Sequence, residues 1–250
     1  EAVTGVQTCA LPDLMENVFD AICSALSEPE VKAAFLEGEG TELMCLMLKE
    51  KKLSRTRAIK TLDHALQGTA GIPLCEKFVE MLGLKTLFSA FMGKVCPIPV
   101  AALVFRELIT GLNVQNGTGA KKAAKAATTH EDTEHLLSLI SSLLTSLASE
   151  SPSRLRLLAK FVEGDYEKVD RLIELREDLE GRVSAVGTAD EMDLDLDDLY
   201  LEKLERGLFS LQLVDYIIAW LCMEDDGVRP SFLVRCELAN EVSRAGSRPH

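Results

Sequence analysis

Two short segments, GTELMCLM (residues 40–47) and GLKTLFSAFM (residues 83–92), decide the fold predicted for this chain. Each begins with a glycine and continues with apolar residues about one helical turn apart. Gly40 and Gly83 are separated by 43 residues. A long amphipathic segment is expected after each, over residues 54–66 and 130–149. Because apolar residues at one-turn spacing favour amphipathic helices, the sequence predicts a helical unit that occurs twice.

A helical repeat of about 40–47 residues is typical of HEAT and armadillo arrays. Such units cannot bury their apolar faces alone, so they stack on their neighbours. The rest of the chain contains no convincing alternating strand and is rich in the helix-forming residues Leu, Ala, Glu and Lys. The predicted fold class is therefore all-α, an armadillo/HEAT-like helical solenoid or α-α superhelix. An irregular helical bundle is the alternative, because two copies are few.

The helices before the repeat can be assigned with their starts and inward faces. A helix is predicted to begin at Asp13, where Asp13 and Glu16 have the spacing of a capping box. The next helix is expected to use Ser27 as its N-cap, and the helix of the first repeat to use Thr41. The first helix should face inward with Leu14, Val18, Ile22 and Leu26, flanked by Met15, Phe19 and Cys23.

Three later helices have equally periodic apolar residues. The helix over residues 54–68 should bury Ala58, Ile59, Leu62, Ala65 and Leu66. The helix over residues 165–183 should bury Val169, Leu172, Ile173 and Leu175. A single closing helix over residues 200–222 should bury Leu204, Leu208, Leu211, Ile218 and Trp220.

The composition argues against several functional classes. A net charge of −13 repels phosphate backbones, so direct nucleic-acid binding is not expected. The longest apolar stretch is interrupted by Arg106 and Glu107 and is too short to span a bilayer, so no membrane contact is expected. Seven cysteines without a CxxC pair, with Cys23 and Cys45 on apolar faces, indicate reduced buried thiols of an intracellular protein.

The chain offers little catalytic chemistry. His130 and His135 are five residues apart and share a helix face poorly, so a metal site is not expected. Residues 117–122 (GTGAKK) lack the spacing of a phosphate-binding loop, and no nucleophile or metalloprotease motif occurs. The sequence therefore predicts a non-enzymatic protein with no cofactor.

One helix carries the candidate binding residues. Lys and Arg are concentrated over residues 49–60 of this acidic chain, either as a contact for an acidic partner segment or as ordinary dipole-complementing surface. In armadillo-like arrays the last helix of each unit lines the concave groove, which makes Arg57, Lys60, Asp63 and His64 the candidates for partner contact. His64 stands where typical armadillo repeats carry a peptide-gripping Asn, so the usual clamping mode is not expected.

The chain resembles the beta-catenin-like family of armadillo-like, spliceosome-associated proteins. The resemblance lies in LMENVFDAICSAL, in FLEGEGTELMCLMLKEKKLSRTRAIKTLDHAL, in CEKFVEMLGLKTLFSAFMGK, in LLAKFVEGDYEKVDRLIELRE and in LEKLERGLFSLQ, spread over residues 14–222. The segments match the middle and later part of that family, so the solenoid is expected to be its C-terminal part.

The resemblance implies a nuclear scaffold of the NineTeen complex that acts in pre-mRNA splicing. Its implied partners are splicing-factor proteins, bound through basic import-signal-like segments that an acidic surface would attract. The sequence leaves homo-oligomerisation open. The alternative function is a HEAT/armadillo-like adaptor in nuclear import or vesicle-coat transport.

The sequence predicts six segments. Residues 13–94 and 129–186 should be armadillo-like helices, and residues 95–128 an insertion or linker, of which 95–115 is either a retained intron or a genuine helical insertion. Residues 187–223 should form an acidic linker and the closing helix, and residues 224–250 a divergent tail. Residues 3–12 (VTGVQTCALP) correspond to the translation of a common sequencing-library primer, so residues 1–12 are interpreted as a non-native, poorly packed leader.

Overall fold

The computed structural model describes residues 7–49, 55–93, 118–186 and 195–230, with the side chains of 7–13 and 118–129 outside the description. The helices are α1 (Gln7–Ala25), α2 (Pro29–Glu37), α3 (Gly40–Lys49), α4 (Arg55–Leu66), a 3₁₀ turn (Thr69–Gly71), α5 (Ile72–Glu80), α6 (Gly83–Phe91), α7 (Thr118–Ser146), α8 (Pro152–Val162), α9 (Glu167–Ser184), α10 (Leu196–Glu205) and α11 (Leu208–Glu224). These ranges contain no strand, so the predicted all-α class is confirmed. The chain divides into two compact units at Ser153 and Arg154.

Helix α4 is the central element of the first unit. It packs against α1, α3, α5 and α7. Its predicted inward residues are all buried, and they are Ala58, Ile59, Leu62, Ala65 and Leu66. Since burying one large aliphatic side chain contributes about 1.5–3 kcal/mol, this face of α4 is a main source of the unit's cohesion.

The predicted repeat is visible in the helix boundaries. Helices α2 and α5 are both nine residues long, and each begins and ends 43 residues from the other. At the starts of α3 and α6, Gly40 lies against the ring of Phe35 and Gly83 against the ring of Phe78, again 43 residues apart. A Cβ atom at either glycine would come within 2.5 Å of that ring. The two glycines are therefore required by the same close approach in two copies of one unit.

The residue immediately before each of α3, α6, α9 and α11 has a left-handed backbone conformation. These residues are Glu39, Leu82, Tyr166 and Gly207, with φ of 57°, 60°, 62° and 103°. The carbonyl oxygens of Glu39, Tyr166 and Gly207 accept hydrogen bonds from the amide four residues later, at 3.1, 3.0 and 2.9 Å. Glu39 and Leu82 are 43 residues apart and Tyr166 and Gly207 are 41 apart, whereas Leu82 and Tyr166 are 84 apart, with the continuous helix α7 between them.

The second unit is built on the packing of α9 against α11. Val169, Leu172 and Ile173 of α9 are buried as predicted, whereas Leu175 is half-buried. Arg154 of α8 is fully buried, donates a hydrogen bond of 2.6 Å to Glu224, and stacks over the ring of Trp220 at 4.9 Å. This contact holds α8 to the C-terminal end of α11.

The first helix differs from its prediction in both start and face. Helix α1 begins at Gln7, so the predicted start at Asp13 is wrong. The exposed fractions of Leu14 and Val18 are 58% and 47%, and the buried face consists of Phe19, Cys23 and Leu26. Of the expected central residues Leu26 is buried and Ile22 half-buried, while the flanking Phe19 and Cys23 are buried in place of Leu14 and Val18, because the apolar residues of α1 cover two adjacent faces.

The predicted closing helix is two helices. The chain bends by 68° between α10 and α11, where Gly207 adopts its left-handed conformation. Among the expected inward residues Ile218 is buried, while Leu204, Leu208, Leu211 and Trp220 are only half-buried. Val214, Ile217 and Leu221 supply the remaining buried apolar positions.

Two predicted caps are also wrong. Glu28 rather than Ser27 precedes α2, and the hydroxyl of Ser27 donates to the carbonyl oxygen of Ser24. Thr41 lies inside the first turn of α3, where its buried hydroxyl has no hydrogen-bond partner.

In the described ranges, no single helix is long and apolar enough to cross a membrane, although the bent pair α10 and α11 meets the length and composition criteria together.

Several sequence predictions lie outside the description. They concern residues 1–6, the stretch 94–117 that includes the proposed retained intron, the linker 187–194, and the tail from residue 231. The predicted segment boundaries therefore stay predictions. The end of the acidic segment is described: Asp195 caps α10, its carboxylate accepting from the amide of Asp198 at 2.8 Å.

Candidate functional site

The basic side chains of α4 are paired with carboxylates of α1. Arg57 Nε donates to Glu16 Oε2 at 2.7 Å, and Lys60 Nζ lies 3.0 Å from Asp20 Oδ1. Residues three or four apart lie on the same side of a helix. Glu16 and Asp20 therefore share one side of α1, and they face Arg57 and Lys60 on one side of α4. The hydrogen bond to Asp20 raises the pKa of Lys60, against the opposing effect of burial. The two cations are thus already engaged within the chain.

Asp63 has a different role from its two basic neighbours. Its side chain is buried, and it accepts a hydrogen bond of 2.9 Å from Gln67 of the segment that follows α4. Its other carboxylate oxygen lies 2.8 Å from Nδ1 of His135 on α7. A buried carboxylate requires such partners, because removing an unpaired charge from water costs several kcal/mol. Asp63 therefore joins α4 to α7.

His135 lies in an acidic surrounding. Burial lowers the pKa of His135, but the hydrogen bond and charge of Asp63, together with Glu131 and Glu134, raise it more, so the net shift is upward. The second ring nitrogen of His135 is 3.9 Å from the exposed carboxylate of Glu131. The protonated imidazolium is therefore favoured at this position.

Arg55 of α4 and Asp132 of α7 are a second pair of opposite charges that influence one another between these helices. Arg55 is buried, which lowers the pKa of its guanidinium, and the charge of Asp132 opposes that shift. Burial raises the pKa of Asp132 to about 6, despite the charges of His135 and Arg55. The interface between these helices is thus unusually rich in ionisable groups.

His64, the residue in the position of the armadillo Asn, is half-buried. Burial lowers the pKa of His64, so it is mainly neutral near pH 7. A neutral imidazole can donate one hydrogen bond and accept another. His64 could therefore contact a peptide backbone but contributes no fixed charge.

The exposed part of this region is a mixed-charge surface with an acidic excess. Glu16, Asp20 and Glu131 are exposed, while Arg57 and Lys60 are half-buried beside them. We call the four residues on α1 and α4, namely Glu16, Asp20, Arg57 and Lys60, the α1–α4 surface. In the part of the chain that the structure describes, no group of three or more His, Cys, Asp or Glu side chains could hold a metal ion. The arrangement is suited to binding charged segments.

The structure brings the four predicted site residues onto one helix but gives them unequal exposure. Arg57, Lys60 and His64 are half-buried and Asp63 is buried. Sequence reasoning did not find His135, which lies 72 residues from Asp63 in the chain. The one available signal was the acidic sequence around His135, HEDTEH (residues 130–135), which favours a protonated histidine. Partner contact by the four residues stays a prediction.

Short helices that repeat after 43 residues, with a left-handed residue before the start of α3 and of α6, are typical of a helical-repeat protein of the armadillo type. The family model described as "Catenin-beta-like, Arm-motif containing nuclear" matches residues 10–241. The chain belongs to this catenin-beta-like family, and the resemblance stated from its motifs is confirmed.

Curated relatives agree with the family match. The chain is 40% identical over 224 residues to beta-catenin-like protein 1 of Rattus norvegicus, covering 84% of this chain and 35% of that protein. It is 39% identical over 224 residues to the Homo sapiens protein, with the same coverage. It is 33% identical over 219 residues to the Schizosaccharomyces pombe homolog, covering 85% of this chain and 33% of the homolog. The chain therefore spans about a third of the length of these relatives.

The family supports the solenoid assignment. Arm motifs are helical repeats that stack into an α-α superhelix, and the described helices repeat with the expected period. The predicted armadillo-like, all-α solenoid is thus confirmed, and the family is described as nuclear.

Proposed function

We propose that this chain is part of a non-enzymatic, nuclear protein-interaction scaffold that acts in pre-mRNA splicing with the NineTeen complex. Its membership of the catenin-beta-like, Arm-motif nuclear family is the observation that carries the proposal. Stacked helical repeats support it physically, because they create long surfaces that bind extended or helical partner segments. The scaffold acts by holding partners near one another.

Electrostatics define the partner segments. The chain has 40 acidic and 27 basic residues, and so attracts basic segments such as import signals. At the α1–α4 surface an incoming Lys or Arg would compete with Arg57 and Lys60 for Glu16 and Asp20. An exposed ion pair contributes only about 0–1 kcal/mol, so such an exchange costs little. The partner would thus replace two internal cations with its own.

A quantitative pull-down tests the splicing assignment. The complete 250-residue chain, tagged and immobilised, is incubated with nuclear extract, and bound proteins are measured by mass spectrometry. We expect components of the NineTeen complex to be enriched over a tag-only control. Enrichment of import receptors or coat proteins in their place would overturn the proposal in favour of a transport adaptor.

A paired variant tests the surface separately. Glu16→Gln with Asp20→Gln removes two exposed acids of α1, and is expected to reduce retention of a basic import-signal-like peptide. Glu76→Gln with Glu80→Gln is the matched control, because these are also exposed acids four residues apart, on α5. Equal losses in both double variants would contradict a specific role for the α1–α4 surface.

A further inference from the structure

Helix α11 exposes a stripe of large apolar side chains. Phe209, Tyr216 and Met223 are seven residues apart, and their exposed fractions are 45%, 42% and 77%. Residues at this spacing lie nearly on one line along a helix. Leu213 and Trp220, half-buried, flank the same line. We call these five residues the α11 stripe.

The opposite face of α11 is already used. Val214, Ile217 and Leu221 are buried in the second unit, where α11 packs against α9. In the part of the chain that the structure describes, helix α11 therefore carries apolar side chains both on the face packed in the second unit and on its exposed side. Helices that are apolar all round are normally buried on all sides. Contiguous exposed apolar surface of this kind marks an interaction site.

The charged residues of α11 do not interrupt the stripe. Asp215 and Glu224 are its only charged side chains. Asp215 lies 2.7 Å from Arg176 of α9, and Glu224 lies 2.6 Å from Arg154 of α8. Neither carboxylate needs a further cation, so the surface over the stripe can be dehydrated without leaving a new unpaired charge.

Helix α10, which packs against α11, adds further exposed apolar residues. Leu196 and Tyr200 are one turn apart and exposed, and Leu201 is exposed beside them. Exposed apolar side chains are therefore present on both helices of this region.

The margins of the region are acidic. Residues 195–230 contain nine acidic residues and only three basic ones, an excess of six negative charges. Asp197, Asp198 and Glu205 of α10 are exposed, as is Asp226 just beyond α11. A partner that covers the stripe therefore gains from Lys or Arg at its edges, and loses from Asp or Glu.

We propose that the α11 stripe is a docking site for an amphipathic helix of a partner protein, with an apolar face toward Phe209, Tyr216 and Met223 and basic residues along its edges. The 17 residues of α11 extend about 25 Å, which accommodates a partner helix of four to five turns. A second copy of this chain is a poorer occupant, because it brings the same acidic margins. Anionic lipid surfaces are disfavoured by the same repulsion.

This site differs from the α1–α4 surface and does not depend on the splicing role. Binding at the α11 stripe would be through packing of the apolar face of a partner helix against these side chains. Loss of NineTeen-complex recovery would therefore leave this proposal intact, and failure of the binding test below would leave the splicing proposal intact.

Fluorescence anisotropy with two synthetic helices tests the proposal. The first is an 18-residue peptide (about five turns) with leucines at one-turn spacing and lysines along both edges of the apolar face. The second carries glutamates at the lysine positions. We expect the complete chain to bind the lysine peptide at least about tenfold more tightly, with affinity falling as salt rises.

Variants locate the binding to the stripe. Tyr216→Gln with Met223→Gln removes apolar surface at two exposed positions, and should weaken lysine-peptide binding at least about tenfold. Leu43→Gln with Leu46→Gln is the matched control, because it removes two comparably exposed leucines from α3. Circular dichroism and urea midpoints verify that both variants fold like the parent chain.

Three results would overturn the proposal. The first is equal binding by the stripe variant and the parent chain. The second is concentration-dependent dimerisation of the parent chain that the stripe variant abolishes, which would assign the stripe to a second copy. The third is binding of the parent chain to phosphatidylcholine vesicles that the stripe variant loses, which would assign the stripe to a lipid surface.

Discussion

The pair Asp63 and His135 shows how single residues can decide the contact between two helices. Asp63 is buried on α4 and His135 lies on α7, with 2.8 Å between the carboxylate and the ring nitrogen. A leucine at either position would pack adequately, but would leave the other group without its partner. The chain thus joins two helices by a polar contact whose strength depends on protonation.

His135 makes stability depend on pH in a defined direction. Its pKa is raised by folding, so its contribution is fully present below the unfolded-state pKa, about 6.5, and is lost as pH rises through the folded-state pKa. His135→Gln should therefore lower the free energy of unfolding by about 2 kcal/mol near pH 5.5, and by less near pH 8. Urea denaturation at the two pH values measures the difference.

His64→Gln is the control for that measurement, with the opposite sign. Burial lowers the pKa of His64, so the native histidine costs stability as pH falls. The His64→Gln chain should become more stable relative to the parent chain at acidic pH. The same pH trend in both variants would contradict the role given to His135.

Arg154 is the corresponding residue of the second unit. It is fully buried, hydrogen-bonded to Glu224 and stacked over Trp220. Arg154→Met should cost about 2 kcal/mol of unfolding free energy, because Glu224 loses a charged hydrogen bond and the indole loses its cation. Arg156→Met, at an exposed position of the same helix, should change stability by less than about 0.5 kcal/mol. Similar thermal midpoints for both variants would be inconsistent with this contact.

At the scale of elements, the starts of α3 and α6 are determined by contact between a glycine and a ring. Gly40 meets Phe35 and Gly83 meets Phe78, and the residues before them adopt left-handed conformations. This arrangement could be predicted from the sequence in part, because the glycines recur after 43 residues. The ring contacts could not, since they depend on the angle between successive helices.

Gly83→Ala tests this contact. Phe78 is fully buried and cannot move away from a new methyl group, so the substitution should cost about 1–3 kcal/mol. Gly40→Ala should cost less, because Phe35 is only half-buried. Gly181→Ala, inside α9 with open space around the new atom, should instead raise stability by about 0.5–1 kcal/mol. A stabilising Gly83→Ala measured by urea denaturation would refute the close approach.

Other elements were predicted less well, for identifiable physical reasons. In α1 the apolar residues cover two adjacent faces, so periodicity could not tell that Phe19 and Cys23, not Leu14 and Val18, face α4. The bend at Gly207 was missed because apolar residues continue on both sides of it. In α4 a single apolar face alternates with charged residues, and its buried apolar residues are those predicted, but the burial of Arg55, Thr61 and Asp63 was not predicted.

At the scale of the whole molecule, charge is the property the sequence described best. The excess of acidic residues was evident from composition, and so was the concentration of basic residues over 49–60. Their pairing was not, because Glu16 and Asp20 lie about 40 residues before Arg57 and Lys60. Composition therefore predicted that a partner segment carries positive charge. It did not predict that cations of the chain itself are already paired with two of the carboxylates.

Because these cations are paired with Glu16 and Asp20, removing them is expected to change the affinity of the chain for a basic peptide. Arg57→Gln with Lys60→Gln should increase the affinity for a basic import-signal-like peptide by about fivefold, because Glu16 and Asp20 become available. Lys49→Gln with Lys85→Gln is the matched control, since it makes the same change in net charge at exposed positions. Isothermal titration calorimetry measures both. Equal increases would attribute the effect to net charge alone.

The left-handed junctions have a consequence for how a gene for this chain can change in length. Each junction combines a left-handed residue with a helix start, and the two junctions of the first unit are 43 residues apart. A tandem duplication of residues 29–71 would copy one left-handed residue, the glycine at the helix start and the phenylalanine ring that this glycine contacts. Its product could stack as an additional unit. A deletion of a few residues inside one helix would move its later residues around the helix axis by about 100° for each residue lost, and so turn part of its apolar face outward. Viable length variants of this protein should therefore differ by whole modules.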